Sequence, residues 1–187
     1  MKVLLITDQH FGARNDSLVY VNKYKKFYSE TVLPYIDKHK ITQVIALGDT
    51  FDRRKYVNYS SLQAAKDMWF DPLRERDVKM HMLVGNHDIY YKNTLRTNSP
   101  ELLLGDYSNI TVVSDPTELS VGGLDILLLP WICDDNRRRS IESIESSNST
   151  VCLGHLELND FEPIPGYTME HGDDPNMFSK FDLVCSC

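Results

Sequence analysis

The 187 residues carry 20 lysines and arginines against 27 aspartates and glutamates, a formal charge of -7. That balance excludes a protein holding nucleic acid by bulk charge alone, but not one meeting DNA through a local patch and metal ions. With 42% hydrophobic and 25% charged residues, the chain suits a single domain with a sizeable core. No stretch approaches the roughly 18 apolar residues of a membrane span.

Lys2–Thr7 is an apolar run of strand length, broken by Asp8 and His10 too early for a secretory signal. Asn15-Asp16-Ser17 offers capping side chains ahead of an amphipathic helix. Leu18, Val21, Tyr24, Tyr28, Val32 and Ile36 share one face of it, and Lys23, Lys25, Lys26 and Lys38 form the solvated face. Pro34 is expected to end or kink that helix. Ile41–Leu47 reads as a second buried strand closed by Gly48-Asp49, and Ser60-x-x-Gln63 as a capping box opening a helix to about Arg76. Val78–Val84 is the third strand, ending in Gly85-Asn86-His87-Asp88, where glycine is expected to let the chain turn sharply. This alternation predicts a parallel sheet with helices packed on it.

Ser99-Pro100-Glu101 opens a short helix that Gly105 ends. Strands follow at Ile110–Val113, Glu118–Val121 and Leu124–Leu129, the last two joined by a Gly122-Gly123 hairpin turn. A helix is expected over Asp135–Ser146, and a strand over Thr150–Leu153 ending at Gly154-His155. A Pro/Gly-rich loop over Pro163–Pro175 and a last strand over Phe181–Ser186 complete the chain. The cysteines at 133, 152, 185 and 187 form no Cys-x-x-Cys pair and read as reduced thiols of a cytoplasmic protein. Cys185 and Cys187 alone are close enough to share a soft metal.

Each strong strand ends in metal-ligand chemistry: Asp8 and His10, then Asp49 with Asp52, then Asn86, His87 and Asp88, then His155. Side chains at the carboxyl ends of parallel strands converge although they are distant in sequence. Carboxylate, imidazole and amide oxygen together suit Mn²⁺, Fe²⁺, Mg²⁺ or Zn²⁺. His39, at a helix end, and His81, inside a strand, fall outside the pattern and read as structural. No Gly-x-Ser-x-Gly elbow and no Walker phosphate loop is present.

The set Asp8-x-His10, Gly48-Asp49-x-x-Asp52, Gly85-Asn86-His87-Asp88 and Gly154-His155 resembles the successive motifs of the calcineurin-like metallophosphoesterases. Asp8-Gln-His10-Phe-Gly12, Leu127-Leu-Leu-Pro-Trp131 and Gly154-His-Leu-Glu-Leu-Asn159 resemble SbcD-type DNA exonuclease subunits, and within these the recombination endonuclease subunits of T-even-like phages. The resemblance implies an α/β fold of two mixed sheets flanked by helices in four layers, incomplete at the C-terminus. It implies a metal-dependent DNA nuclease subunit for recombination, repair or replication, acting with an SbcC-type coiled-coil ATPase in the cytoplasm, and a homodimer in the complete protein. Asp8, His10 and Asp49 would hold one of two divalent ions, Mn²⁺ or else Mg²⁺. Asp49, Asn86 and His155 would hold the second. His87 would act as proton donor or as a phosphate-orienting group, with Asp88 fixing its ring, and Asp52 would support a ligand.

Arg53, Arg54 and Lys55 are candidates for the DNA backbone, with Arg137-Arg138-Arg139 a further basic cluster. Tyr90, Tyr91 and Trp131 are aromatic neighbours of the site. The family's Gly-His-x-His motif has no counterpart here: Cys187 stands where its glycine would. The expectation is therefore a single nuclease domain without the last strands, capping region and ATPase-docking segment, weak or inactive on its own. A phosphomonoesterase or cyclic phosphodiesterase on the same fold, and a non-catalytic fragment that binds DNA or a partner, are the alternatives.

Overall fold

The apolar runs become eight strands in two sheets. The computed structural model describes residues 1–162 and 165–187. In the first sheet β1 (Val3–Ile6), β2 (Gln43–Ala46), β3 (Lys79–Leu83) and β4 (Ile110–Val113) lie side by side in that order, all parallel. In the second, β5 (Thr117–Val121) and β6 (Leu124–Leu129) form an antiparallel hairpin, while β7 (Val151–Gly154) and β8 (Leu183–Ser186) add in parallel. The second sheet is thus mixed as expected. The first is parallel throughout its described strands, because a helix-bearing crossover links each to the next. The hairpin turns on Gly122 and Gly123, at φ 62° and 84°, the two positive values that a type I′ turn requires.

Alternation along the strands sets the layers. Val44, Ala46, Met80 and Met82 face the helices and pack on Tyr28, Ile36, Trp69, Phe70 and Leu73. The residues between them, Ile45, Leu47 and Leu83, face the other way and meet Ile126, Leu128, Val151 and Leu153 of the second sheet. Beyond that sheet, Leu127, Leu129 and Cys152 pack against Ile144, Phe178 and Phe181. The order is helices, sheet, sheet, helix.

Neither long helix is broken by its proline. α1 (Leu18–Phe27) runs through a π turn (Tyr28–Val32) into α2 (Leu33–His39), and the Leu33 N–H reaches back to Tyr28 O. α3 (Tyr59–Ala65) continues in the same way through Lys66–Phe70 into α4 (Asp71–Glu75), with Asp71 N–H on Lys66 O. A proline has no N–H to donate and its ring crowds the carbonyl four residues back. Widening the turn ahead of Pro34 and Pro72 relieves both problems. Tyr28 and Trp69 sit on these wide turns and pack with ring centroids 4.9 Å apart.

The caps differ from expectation. Asn58, not Ser60, opens α3 by accepting from Ser60 N, and Ser17 makes no side-chain cap bond. Leu18 is exposed, at the start of the helix and beyond the reach of the sheet. α5 (Ser99–Leu104) is capped by Asn98, which accepts from Glu101 N, and α6 (Arg137–Ser146) covers the second sheet. The loop read from Pro163 begins outside the described residues, and its far end is a 3-10 turn, Pro175–Phe178. No helix among the described residues is long and apolar enough to cross a membrane.

His81 stands on the face of β3 that looks toward the second sheet, with Nδ1 buried and without a hydrogen-bond partner. Burial, then the Lys79 charge, holds its pKa below the ordinary 6.5. A histidine depressed in the fold binds fewer protons there than when unfolded, so its contribution is complete above about 6.5 and is lost as pH falls below that. Chemical denaturation from pH 7.5 to 5 is expected to show less loss for His81→Gln than for the wild type. Parallel curves would remove His81 from the account.

Candidate metal centre

The register aligns the strand ends: Ile6, Ala46 and Met82 lie level across the first sheet, so the loops after β1, β2 and β3 open side by side. Across from them the His155 N–H bonds to Leu129 O, which brings the loop after β7 to the same place. Asp8, His10 and Asp49 adopt φ of 49°, 42° and 52°. This left-handed region is unfavourable for a side-chain-bearing residue by roughly 1–2 kcal/mol each. The conformation is held by bonds between the loops, Asp8 N to Gly48 O, His10 N to Asp49 O and Phe11 N to Thr50 O, at 2.9–3.2 Å.

Asp49 lies at the middle, with only 4% of its surface exposed. Its Oδ2 is 3.6 Å from His10 Nε2 and its Oδ1 is 3.5 Å from His155 Nε2. One carboxylate therefore turns its two oxygens to two imidazoles. Asp8 Oδ1 is 3.5 Å from the same His10 Nε2, and hydrogen bonding to His10 is the main cause that lowers the Asp8 pKa and raises that of His10. His155 Nδ1 lies 2.9 Å from Leu47 O. A carbonyl only accepts, so Nδ1 carries the proton and Nε2 presents a lone pair. Against that lone pair, at 2.9 Å, stands the Asn86 side-chain amide. With its oxygen inward the amide faces only acceptors, and turned over its nitrogen would donate to His155 Nε2 and both Asp49 oxygens.

Oxygen and nitrogen donors of two carboxylates, two imidazoles and an amide thus converge, the kind of set that a hard to borderline divalent cation satisfies. The donor set fits such an ion.

His87 also points here: His10, Asp49 and His87 offer ligand atoms within 4.8 Å of one another. Its Nδ1 is 2.8 Å from the carbonyl of Asp52, leaving Nε2 as the working nitrogen. Asp88 does not fix the His87 ring, as the sequence suggested. It is fully buried, and its carboxylate accepts from the backbone N–H groups of Thr50, Phe51 and Gly85. Burial pushes its pKa up to about 7, the Asp49 charge pushes the same way, and the three N–H donors pull against both. Asp88 ties the β2 loop to the β3 loop. The Asp52 carboxylate lies 3.6 Å from His10 Nδ1.

Gly85 is not in a left-handed conformation, so the sharp-turn expectation gives way to close approach. A Cβ there would stand 2.3 Å from Asp49 Oδ1. Gly48 is both left-handed, at φ 111°, and crowded, with His155 Nδ1 2.5 Å from where its Cβ would be.

The centre floors a cleft of about 920 Å³. Of the basic candidates, Arg54 lines it, and a further cation, Lys92, lines it as well. Lys55 opens onto a separate hollow, and Arg53 is spent on Asn15 and Asp16. Arg137, Arg138 and Arg139 pair with Asp173, Glu142 and Asp115, which accounts for cations at a helix N-terminus. Trp131 lines the cleft, its ring edge-on to His155 at 5.9 Å, whereas Tyr90 and Tyr91 pair with each other outside the lining. Cys187 also reaches the centre, with Sγ 3.2 Å from His155 Nδ1 and 3.0 Å from Leu47 O. Cys185 packs between the sheets.

A family model described as calcineurin-like phosphoesterase matches residues 1–184. Exonuclease subunit 1 of Enterobacteria phage T4 is 32% identical over 186 residues, 100% of this chain and 54% of that protein. The chain therefore spans about half the length of that curated relative. Among solved structures, a protein of unknown function, AQ665 of Aquifex aeolicus, aligns with TM-score 0.47 and 17% identity over 82% of this chain and 77% of its own. Pseudomonas putida nuclease MPE aligns with TM-score 0.45 and 19% identity, over 84% and 62%.

Proposed function

The chain belongs to the calcineurin-like phosphoesterase family, and from that premise we propose that it is the nuclease subunit of a DNA-processing assembly. The observation that carries the reading is the Asp49 carboxylate, with its oxygens directed to His10 on one side and His155 on the other. Asp8, His10 and Asp49 would hold one divalent ion, and Asp49, Asn86 and His155 a second. Bound there, the two ions supply activation of water and charge stabilisation at a phosphodiester. Two imidazoles in the set favour Mn²⁺ over Mg²⁺.

The chain's own groups do the rest. His87, with its Nδ1 proton held on the Asp52 carbonyl, turns Nε2 to the cleft, and from its doubly protonated form would give the Nε2 proton to the leaving oxygen and be left as the neutral ring. Arg54 and Lys92, on the cleft wall, would take the flanking phosphates. The phage T4 relative is by name an exonuclease subunit, which supports a nucleic-acid substrate, read here as DNA, and a partner. That partner is read as a coiled-coil ATPase of the SbcC type, and the setting as recombination, repair or replication in the cytoplasm.

Hydrolysis of duplex and single-stranded DNA against p-nitrophenyl phosphate esters, with Mn²⁺ and with an ATPase partner added or omitted, tests the proposal. Cleavage of the DNA and not of the esters is expected, at a weak rate for this chain on its own. Turnover of the small esters with intact DNA would move the chain to a phosphomonoesterase or cyclic phosphodiesterase role. A chain that retains no Mn²⁺ at micromolar concentration would be a binding module instead.

The same cluster gives His87 a second reading, as a ligand. His87→Gln is expected to lower kcat about 10²–10⁴-fold, the range for losing a general acid, with Mn²⁺ affinity unchanged. A parallel fall in Mn²⁺ affinity would make it a ligand.

A further inference from the structure

We infer that Arg53 is a positioning residue that holds the His10 loop against the Asp49 loop, rather than a contact for a nucleic-acid phosphate; the inference rests on the metal reading above. Arg14, Asn15 and Asp16 adopt φ of 53°, 62° and 57°. L-residues enter this region singly, and three in succession do not persist unless their surroundings hold them. The turn starts at the metal loop itself, with Ala13 N on His10 O and Asp16 N on Gly12 O.

What holds it is the Arg53 fork. Nη1 donates to Asp16 Oδ2 at 2.8 Å and Nη2 to Asn15 Oδ1 at 2.7 Å. The other Asp16 oxygen accepts from Ser61 on α3 at 2.6 Å. The guanidinium also lies over Tyr56, 4.9 Å from the ring centroid. A fully exposed pair would contribute little, but these side chains are only 22% and 16% exposed.

Arg53 directly follows Asp52, whose carboxylate lies beside His10 and whose carbonyl receives His87. The fork therefore sits where the first metal loop meets the second. A phosphate would have to displace two acceptors already in place.

The test uses the full chain with Arg53→Ala, Arg53→Lys and Ser61→Ala. It reads hydrogen exchange of peptides spanning 10–16 without metal, Mn²⁺ affinity by electron paramagnetic resonance, and the salt dependence of DNA binding. Arg53→Ala is expected to speed exchange at least about tenfold and to weaken Mn²⁺ binding about 10–100-fold, as loss of groups supporting metal ligands does. The salt slope should stay unchanged.

Lysine should restore only part, since a point charge cannot serve both Asn15 and Asp16, and Ser61→Ala should shift exchange the same way by less. Wild-type exchange and Mn²⁺ affinity with a salt slope reduced by about one phosphate contact would overturn the inference. If the wild type itself takes up no Mn²⁺, the metal reading falls while exchange still decides the clamp. Should Arg53→Ala fail to fold, the lysine and Ser61 variants carry the same decision.

Discussion

Asp49→Asn is expected to reduce Mn²⁺-dependent hydrolysis by at least about 10³-fold while making the metal-free chain more stable. The amide keeps the size of the carboxylate but offers one oxygen and no charge, so it cannot present oxygen to His10 and His155 together as Asp49 does. Losing about 4 kcal/mol of charge stabilisation corresponds to that factor, at tenfold for each 1.36 kcal/mol.

Stability should move the other way. Asp49 is buried beside His10, which Asp8 also faces, and its charge helps to hold Asp88 above the usual carboxylate range. Without a cation these acids repel one another. Removing one charge is expected to raise Tm by roughly 2–4 °C, the shift that about 1 kcal/mol makes in a chain of this size. Kinetics with Mn²⁺ and melting in chelator check the two halves. A variant that keeps activity within tenfold would place the reacting centre elsewhere.

The strands and the convergence of their ends were legible because both are written locally: an apolar run that stops in Asp, His or Asn needs no knowledge of its neighbours. The first sheet's parallel order followed from helices falling between strands. What stayed hidden depends on partners remote in sequence. Asp88 looked like the neighbour of His87, but its carboxylate turns to the backbone of Thr50 and Phe51, 38 and 37 positions away. Arg53, Arg54 and Lys55 are equally basic in sequence, and only the fold divides them into a clamp, a cleft wall and a separate hollow. Pro34 read as the end or a kink of its helix, since no local pattern announces the π turn that absorbs it. The caps slipped for a similar reason: Asn15 and Asp16 have capping chemistry but spend it on Arg53.

Gly85→Ala is expected to be the most disruptive single methyl in the chain, abolishing activity and destabilising the fold by about 3 kcal/mol or more. The added Cβ would lie 2.3 Å from Asp49 Oδ1 and 2.4 Å from Asp49 N. A side chain could swing away, but a backbone nitrogen cannot. The Asp49 loop also has nowhere to retreat, because Asp88 binds Thr50, Phe51 and Gly85 with one carboxylate. Moving the loop breaks those bonds and leaves a buried carboxylate unpaired, the kind of loss that takes a substitution beyond the usual 0.5–3 kcal/mol.

Gly123→Ala supplies the contrast. Its φ of 84° is unfavourable for alanine, yet nothing lies within 4 Å of the added Cβ, so backbone strain alone should cost about 1–2 kcal/mol and leave activity intact. Denaturant midpoints for the two variants, together with Mn²⁺ affinity of whatever Gly85→Ala protein folds, separate steric exclusion from turn strain. Equal midpoint losses would mean that Gly85 serves the turn after all, and that Asp49 has room which the loop contacts deny it.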